Sequence, residues 1–382
     1  MGIISNPLYV VFALCLAVLA AEWLVRRTAL KHFGTALLVI LITAILANAG
    51  AIPSASNASP VYDIVFTTIA PLAIFYLLLE VNLKNLRRAG LPMLLLFLLG
   101  SLATMIGVAV GMWAVTGRES LGPLYGAIGG MFAGTYIGGS INFNAIALHY
   151  EVTKQGNLYA GAIAVDNILT TFWMIATIAI PKLLNRKTES REVDRTADAV
   201  PPDDDAVTVT PYDLTLMLVF GLGALLASNW LTGLISRAGF NVPSILILTS
   251  LALVLAQFPV VNRLKGGRLL GLFSVYVFMA VIGAYCEFAA LAGIGPLGLK
   301  LLIFVTVLVL THGIVIFGIG ALIYRDWDMI AIASQANIGG GASALALARS
   351  LDRKDLYLPA ILVGSLGNGI GTYLGFLIIR FL

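Results

Sequence analysis

The sequence predicts an all-α polytopic membrane protein made of two inverted repeats, each with five spanning helices and one broken or re-entrant Gly-Gly segment. Three observations predict it. Hydrophobic residues make up 59% of the chain and charged residues only 11%, whereas about a quarter of a soluble domain is charged. Apolar runs of about 20 residues, the length an α-helix needs to cross the hydrocarbon, recur from end to end. Finally, the run Gly134-Thr-Tyr-Ile-Gly-Gly-Ser-Ile-Asn-Phe-Asn144 has a counterpart at Gln335-Ala-Asn-Ile-Gly-Gly-Gly-Ala-Ser343, and a shift of 201 positions lays Ile137-Gly138-Gly139 on Ile338-Gly339-Gly340. The same shift carries Asn167 to Asn368, Thr171 to Thr372 and Phe172 to Tyr373.

In chain order, the apolar runs place segments at about Leu8 to Val25, Gly34 to Gly50, Val61 to Glu80, Leu91 to Val115, Pro123 to Tyr150 and Ala160 to Leu184. Residues 1–184 therefore read as the first membrane repeat. A polar stretch over 185–212, with Pro201-Pro202 and Asp203-Asp204-Asp205, is too hydrophilic to enter the bilayer and reads as a cytoplasmic linker. Residues 213–382 form the second repeat. Its segments fall at about Leu214 to Ile235, Val242 to Pro259, Leu269 to Leu291, Leu297 to Tyr324, Met329 to Arg349 and Leu356 to Leu382. A shift of 207 relates the earlier parts of the halves, placing Trp23 on Trp230 and Glu80 on Glu287. The alternating pattern of a membrane barrel is absent.

Charge decides the orientation. Basic residues mark the first loop (Arg26, Arg27, Lys31), the third (Lys84, Arg87, Arg88) and the start of the linker (Lys182, Arg186, Lys187). In the second half they cluster at Arg263, Lys265 and Arg268, at Arg325, and at Arg349, Arg353 and Lys354. If all twelve segments crossed, the linker would lie opposite the first and third loops, against the positive-inside rule. If the fifth and eleventh segments enter, turn at Gly-Gly and leave on the same side, every basic loop is cytoplasmic. Both termini then face outward and the halves are inverted, as in many secondary transporters. The net charge of +4 is thus an orientation signal and implies no nucleic-acid partner.

Non-helical backbone at membrane depth is tolerated only inside protein or along a watery cavity, so two Gly-Gly breaks predict a cavity. Helix ends at the breaks offer amide groups to an anion and carbonyls to a cation. The candidate substrate-binding residues are Thr135, Gly138, Gly139, Ser140, Asn142 and Asn144 at one tip. At the other they are Gln335, Asn337, Gly339, Gly340, Gly341 and Ser343. Asp166 lies well inside the sixth segment, where a carboxylate is costly enough to mark an ion or substrate site. With Asn167, Asn368, Thr171 and Thr372 it makes a hard-oxygen set suited to Na⁺ or a carried proton. For the amides and hydroxyls the competing reading is that they tie helices together. His312, alone in the tenth segment, reads as a packed or capping residue. Cys15 and Cys286 have neither metal-ligand nor disulfide spacing, and no Walker motif or nucleophile elbow occurs. No cofactor beyond a coupling ion, and no enzyme activity, is expected.

The run from Gly134 to Asn144, the Ile-Gly-Gly-Gly run at Ile338 and the segment Gly364-Ser-Leu-Gly-Asn368 resemble an uncharacterised multispan membrane family, catalogued as domain of unknown function number 819, over nearly the whole chain. More distantly, paired Gly-Gly re-entrant loops in inverted halves are similar to sodium-coupled glutamate and 2-hydroxycarboxylate carriers, and the broken-helix plan to bile-acid and sodium/proton carriers. That resemblance implies an elevator-like carrier of the bacterial inner membrane, with substrate and Na⁺ at the hairpin tips and a homodimer as its assembly. Unlike those carriers, this sequence has no Arg within a membrane segment to clamp a carboxylate. The expected function is an ion-coupled transporter of a small polar or anionic solute in contact with membrane lipids. A cation/proton antiporter and a non-transporting membrane enzyme or assembly factor are the other readings left open.

Overall fold

The computed structural model describes residues 4, 6–28, 30, 34–81, 83, 86–184, 209–240, 242–262, 264–286 and 294–382. Among them there is no strand. The first half contains α1 (Pro7–Arg27), α2 (Gly34–Asn48), α3 (Pro60–Leu78), α4 (Leu91–Ala114), α5 (Tyr125–Gly138), α6 (Ser140–His149) and α7 (Gly156–Leu184). The second contains α8 (Pro211–Arg237), α9 (Ser244–Leu255), α10 (Gly267–Ala284), α11 (Ile294–Ile323), α12 (Trp327–Ile338), α13 (Gly340–Ser350) and α14 (Tyr357–Ile379). Among the described residues, eight helices are long and apolar enough to cross a membrane; the chain is an all-α multi-pass membrane protein. Apart from 209–212, the central linker lies outside the described residues, as does Glu287.

The helix limits follow local chemistry. Asn6 caps α1 by accepting from the Leu8 amide at 2.9 Å, with Pro7 following it. Thr210 and Asp213 form a reciprocal capping box at the start of α8. The second and eighth segments are shorter than their apolar runs. Gly34 and Gly50, both at positive φ, flank α2, and Pro243 and Pro259 flank α9. At about 1.5 Å per residue, neither alone covers a bilayer core of about 30 Å. In α3 a π-turn over Val65–Ile69 precedes Pro71, where the missing proline N–H interrupts the regular ladder.

The fifth and eleventh segments are each two helices joined at glycine. The joints are Gly139 at φ +90° and Gly340 at φ +78°, partners under the 201-residue shift. The same shift relates Glu151 and Asp352, which follow the second legs at φ +54° and +53°. The legs of each break pack side by side. Phe132 and Phe143 stack edge to face at 5.8 Å between ring centres, and the Gln335 amide reaches Ser343 Oγ at 3.1 Å. Eight to eleven residues of straight helix would separate such pairs by about 12 to 17 Å.

The halves exchange partners. α4 lies along α11; α5 packs on α14 as α12 packs on α7; α2 packs on α10 as α9 packs on α3. Helices α1–α3 and α8–α10 form one group, and α4–α7 and α11–α14 the other. Glycines let backbones close at these crossings. On the α5–α14 seam, a Cβ at Gly375 would stand 2.7 Å from the Gly130 carbonyl oxygen, and one at Gly371 2.9 Å from that of Gly134 and 2.6 Å from Asn142 Nδ2. On the α4–α11 seam, a Cβ at Gly107 would meet the Leu308 oxygen at 2.7 Å.

The Gly371→Ala variant is therefore expected to lose about 1–3 kcal/mol of stability by overpacking. Gly161→Ala, with nothing within 4 Å of the new methyl group, is expected to be neutral or slightly stabilising. Melting temperatures of the two purified variants check this.

Candidate functional site

The two breaks meet around a cavity of about 490 Å³. Thr135, Gly139 and Ser140 line it from the first tip, and Gln335, Ile338, Gly339 and Ser343 from the second. The rest of the wall is one face of α7, where Asp166, Thr170 and Met174 recur at four-residue spacing, with Asn167, Thr171 and Ile175 beside them. Both tips hold their last helical turn with the same bond: Gly139 N–H donates to Thr135 O at 2.7 Å, and Gly339 N–H to Gln335 O at 2.8 Å.

Among the described residues, Asp166 is the one carboxylate on this wall, and no Lys, Arg or His joins it. Thr170 Oγ1 reaches its Oδ1 over a long 3.5 Å. The buried hydroxyl of Tyr136 faces the same carboxylate. Asn167 offers its side chain to the cavity, while its carbonyl accepts from Thr171 Oγ1 at 2.7 Å.

The remaining sequence candidates sit behind the wall. Thr372 Oγ1 donates to Asn142 Oδ1 at 2.6 Å, tying α14 to α6. Asn144 accepts from the Tyr159 hydroxyl, and Asn337 bonds Ser101 Oγ on α4 at 3.0 Å. Asn368 stands at the first tip, where a Cβ on Gly139 would lie 3.5 Å from its Oδ1. Gly138 abuts the backbone of Gly367, and Gly341 that of Gly364. Gly340 supplies the positive-φ joint and has no near neighbour. So Asp166, Asn167 and Thr171 share one cavity with the hairpin tips, whereas Thr372 and Asn368 are not on its wall and pack against Asn142 and Gly139.

Sequence reading missed Thr170 and Tyr136. Thr170 was legible as one turn beyond Asp166 on the same helix face; Tyr136 had no such signal, because it reaches Asp166 from another helix. Also missed was the buried network around His312. Thr104 Oγ1 spends its proton on Tyr136 O at 3.0 Å, so His312 Nδ1–H donates to Thr104 Oγ1 at 3.0 Å. Its Nε2 then accepts from Ser334 Oγ at 2.9 Å, and Ser334 accepts from Trp173 Nε1–H at 3.1 Å. One imidazole thus joins α4, α11 and α12, and through its partners reaches α5 and α7. It requires the neutral Nδ1–H tautomer.

Ser334→Ala strands both the His312 nitrogen and the Trp173 N–H. It is expected to cost about 1–3 kcal/mol, whereas Ser250→Ala, at an exposed hydroxyl pair with Tyr373, is expected to stay within about 0.5 kcal/mol. Thermal denaturation of both variants distinguishes the two sites.

Two comparisons bear on identity. The family model described as "Protein of unknown function (DUF819)" matches residues 9–382. The uncharacterized membrane protein YjcL of Bacillus subtilis (strain 168) is 29% identical over 348 residues, spanning 87% of this chain and 85% of that relative. With the family model matched over nearly its whole length, this chain belongs to the DUF819 family of membrane proteins.

Proposed function

We propose that this protein is an ion-coupled secondary transporter of a small solute, bound where the two broken segments meet. The observation that carries the reading is the cavity itself: two glycine-broken helices, one from each half, end around a single membrane-embedded carboxylate. An unwound backbone at that depth is costly unless it lines a wet, functional cavity, and an acid there marks an ion or substrate pathway. In this reading the broken segments are re-entrant from opposite faces and the halves are inverted. Both termini face outward across a bacterial inner membrane, and Na⁺ or H⁺ is the coupling ion at Asp166. The exchange of helix partners between halves supports a pseudo-two-fold design. The separate grouping of α1–α3 with α8–α10 supports an elevator-like division, with those helices as the scaffold, and a homodimer built on it.

Proteoliposomes test the proposal. An imposed Na⁺ or H⁺ gradient is expected to drive solute movement in the wild type, and Asp166→Asn to abolish the gradient dependence while the protein stays folded. Gradient-driven transport that persists unchanged in Asp166→Asn removes this carboxylate from the coupling site.

A further inference from the structure

Most hydroxyls on the cavity wall have already spent their protons; the side-chain donors left are the Asn167 amide, one N–H of Gln335 and the hydroxyls of Thr135 and Ser140. Five hydroxyls line it, on Thr135, Ser140, Thr170, Thr171 and Ser343. Three have already committed their protons: Thr170 to Asp166, Thr171 to the Asn167 carbonyl at 2.7 Å, and Ser343 to the Gly340 carbonyl at 2.9 Å. Gln335 gives one of its two N–H groups to Ser343 and accepts from Thr177 Oγ1 at 3.2 Å. The lone pairs of the committed hydroxyls remain, and they can only accept.

Charge points the same way. Each break presents one helix C-terminus and one helix N-terminus, whose partial charges offset one another. Asp166 is left as the net charge, and none of the ion pairs among the described residues includes it. A like charge placed about 5 Å away, at an effective dielectric near 20, lowers affinity by roughly a hundredfold or more. A bound anion would face that repulsion with only neutral donors, such as the Asn167 amide and the Thr135 and Ser140 hydroxyls, to offset it. A cationic N–H donor meets complementary groups throughout. No aromatic ring lines the wall, so nothing there recognises a quaternary ammonium by its methyl groups. Met174, Ile175 and Ile338 offer an apolar seat for a short carbon chain.

We propose that the transported solute carries a primary ammonium group, which pairs with Asp166 and alternates there with the coupling ion. The inference rests on the transport reading of this cavity and narrows it. One carboxylate holds one monovalent partner at a time, so solute and ion displace each other and the carrier works as an exchanger.

The test is the melting temperature of the purified full chain in potassium buffer. Ethanolamine and 1,4-diaminobutane are titrated against choline, potassium succinate and potassium acetate. Ligand bound only to the folded state raises stability by mass action. The expected result is a saturable rise with the two primary amines, smaller or absent with the other three. Added Na⁺ or a lower pH should move the half-saturation point for the amines upward. The rise should be lost in Asp166→Asn, kept in Asp166→Glu, and kept in Asp63→Asn, whose acid lines a different cavity. If Asp166→Asn fails to fold, the competition series on the wild type decides.

An equal rise in folded Asp166→Asn overturns the pairing. A rise with the potassium carboxylates alone, or with Na⁺ alone and untouched by amines, overturns the ammonium class while leaving the transport reading in place. No rise with any probe, together with no gradient-driven flux in proteoliposomes, overturns both.

Discussion

Everything in this fold answers to the cost of interrupted backbone in an apolar surrounding. At Gly139 and Gly340 the chain leaves the helical ladder in the middle of an apolar segment, and amides unpaired in hydrocarbon would cost several kcal/mol each. The protein encloses both joints within its own helices. The legs fold back on one another, and α14 and α7 close over the tips with glycine or small polar groups at the contacts. That enclosure explains why so many asparagines, glutamines and hydroxyls are buried here. Asn142 with Thr372, Asn337 with Ser101, and Gln335 with Thr177 and Ser343 hold the broken segments in place. The His312 network ties the crossing of α4 and α11 to the first leg of each hairpin.

The same enclosure separates residues that look alike in sequence. Asn167 and Asn368 are partners under the repeat, and each stands near a tip. Only Asn167 lines the cavity, because it neighbours Asp166 on the open face of α7, whereas Asn368 is set against Gly139. A single acid, Asp166, thus sets the surroundings of Asn167 apart from those of Asn368.

Much of this was legible in the sequence. Segment positions followed from apolar runs bounded by Pro, Gly and basic residues. The 201-residue shift located the two joints to the residue, since positive φ falls on both Gly139 and Gly340. Asp166 stood out because an acid inside an apolar run is rare. Helix pairing was not legible, because it depends on which faces meet across two hundred residues. For that reason Tyr136, Ser334 and Thr104 drew no notice, and Asn142, Asn144 and Asn337 could not be told from wall residues. The shortness of α2 and α9 was also hidden, since apolar composition continues past the glycines and prolines that end them.

The central claim is that both tips, at Ser140 and Ser343, open on one aqueous cavity rather than on lipid or packed protein. Single cysteines report this directly. Ser140→Cys and Ser343→Cys, each in a background with Cys15→Ser and Cys286→Ala, would be treated in membranes with a water-soluble maleimide beside Leu226→Cys, whose side chain is 72% exposed on an apolar helix face. The account predicts that both tip positions react and that Leu226→Cys does not. Tip cysteines as unreactive as the Leu226→Cys control would contradict it.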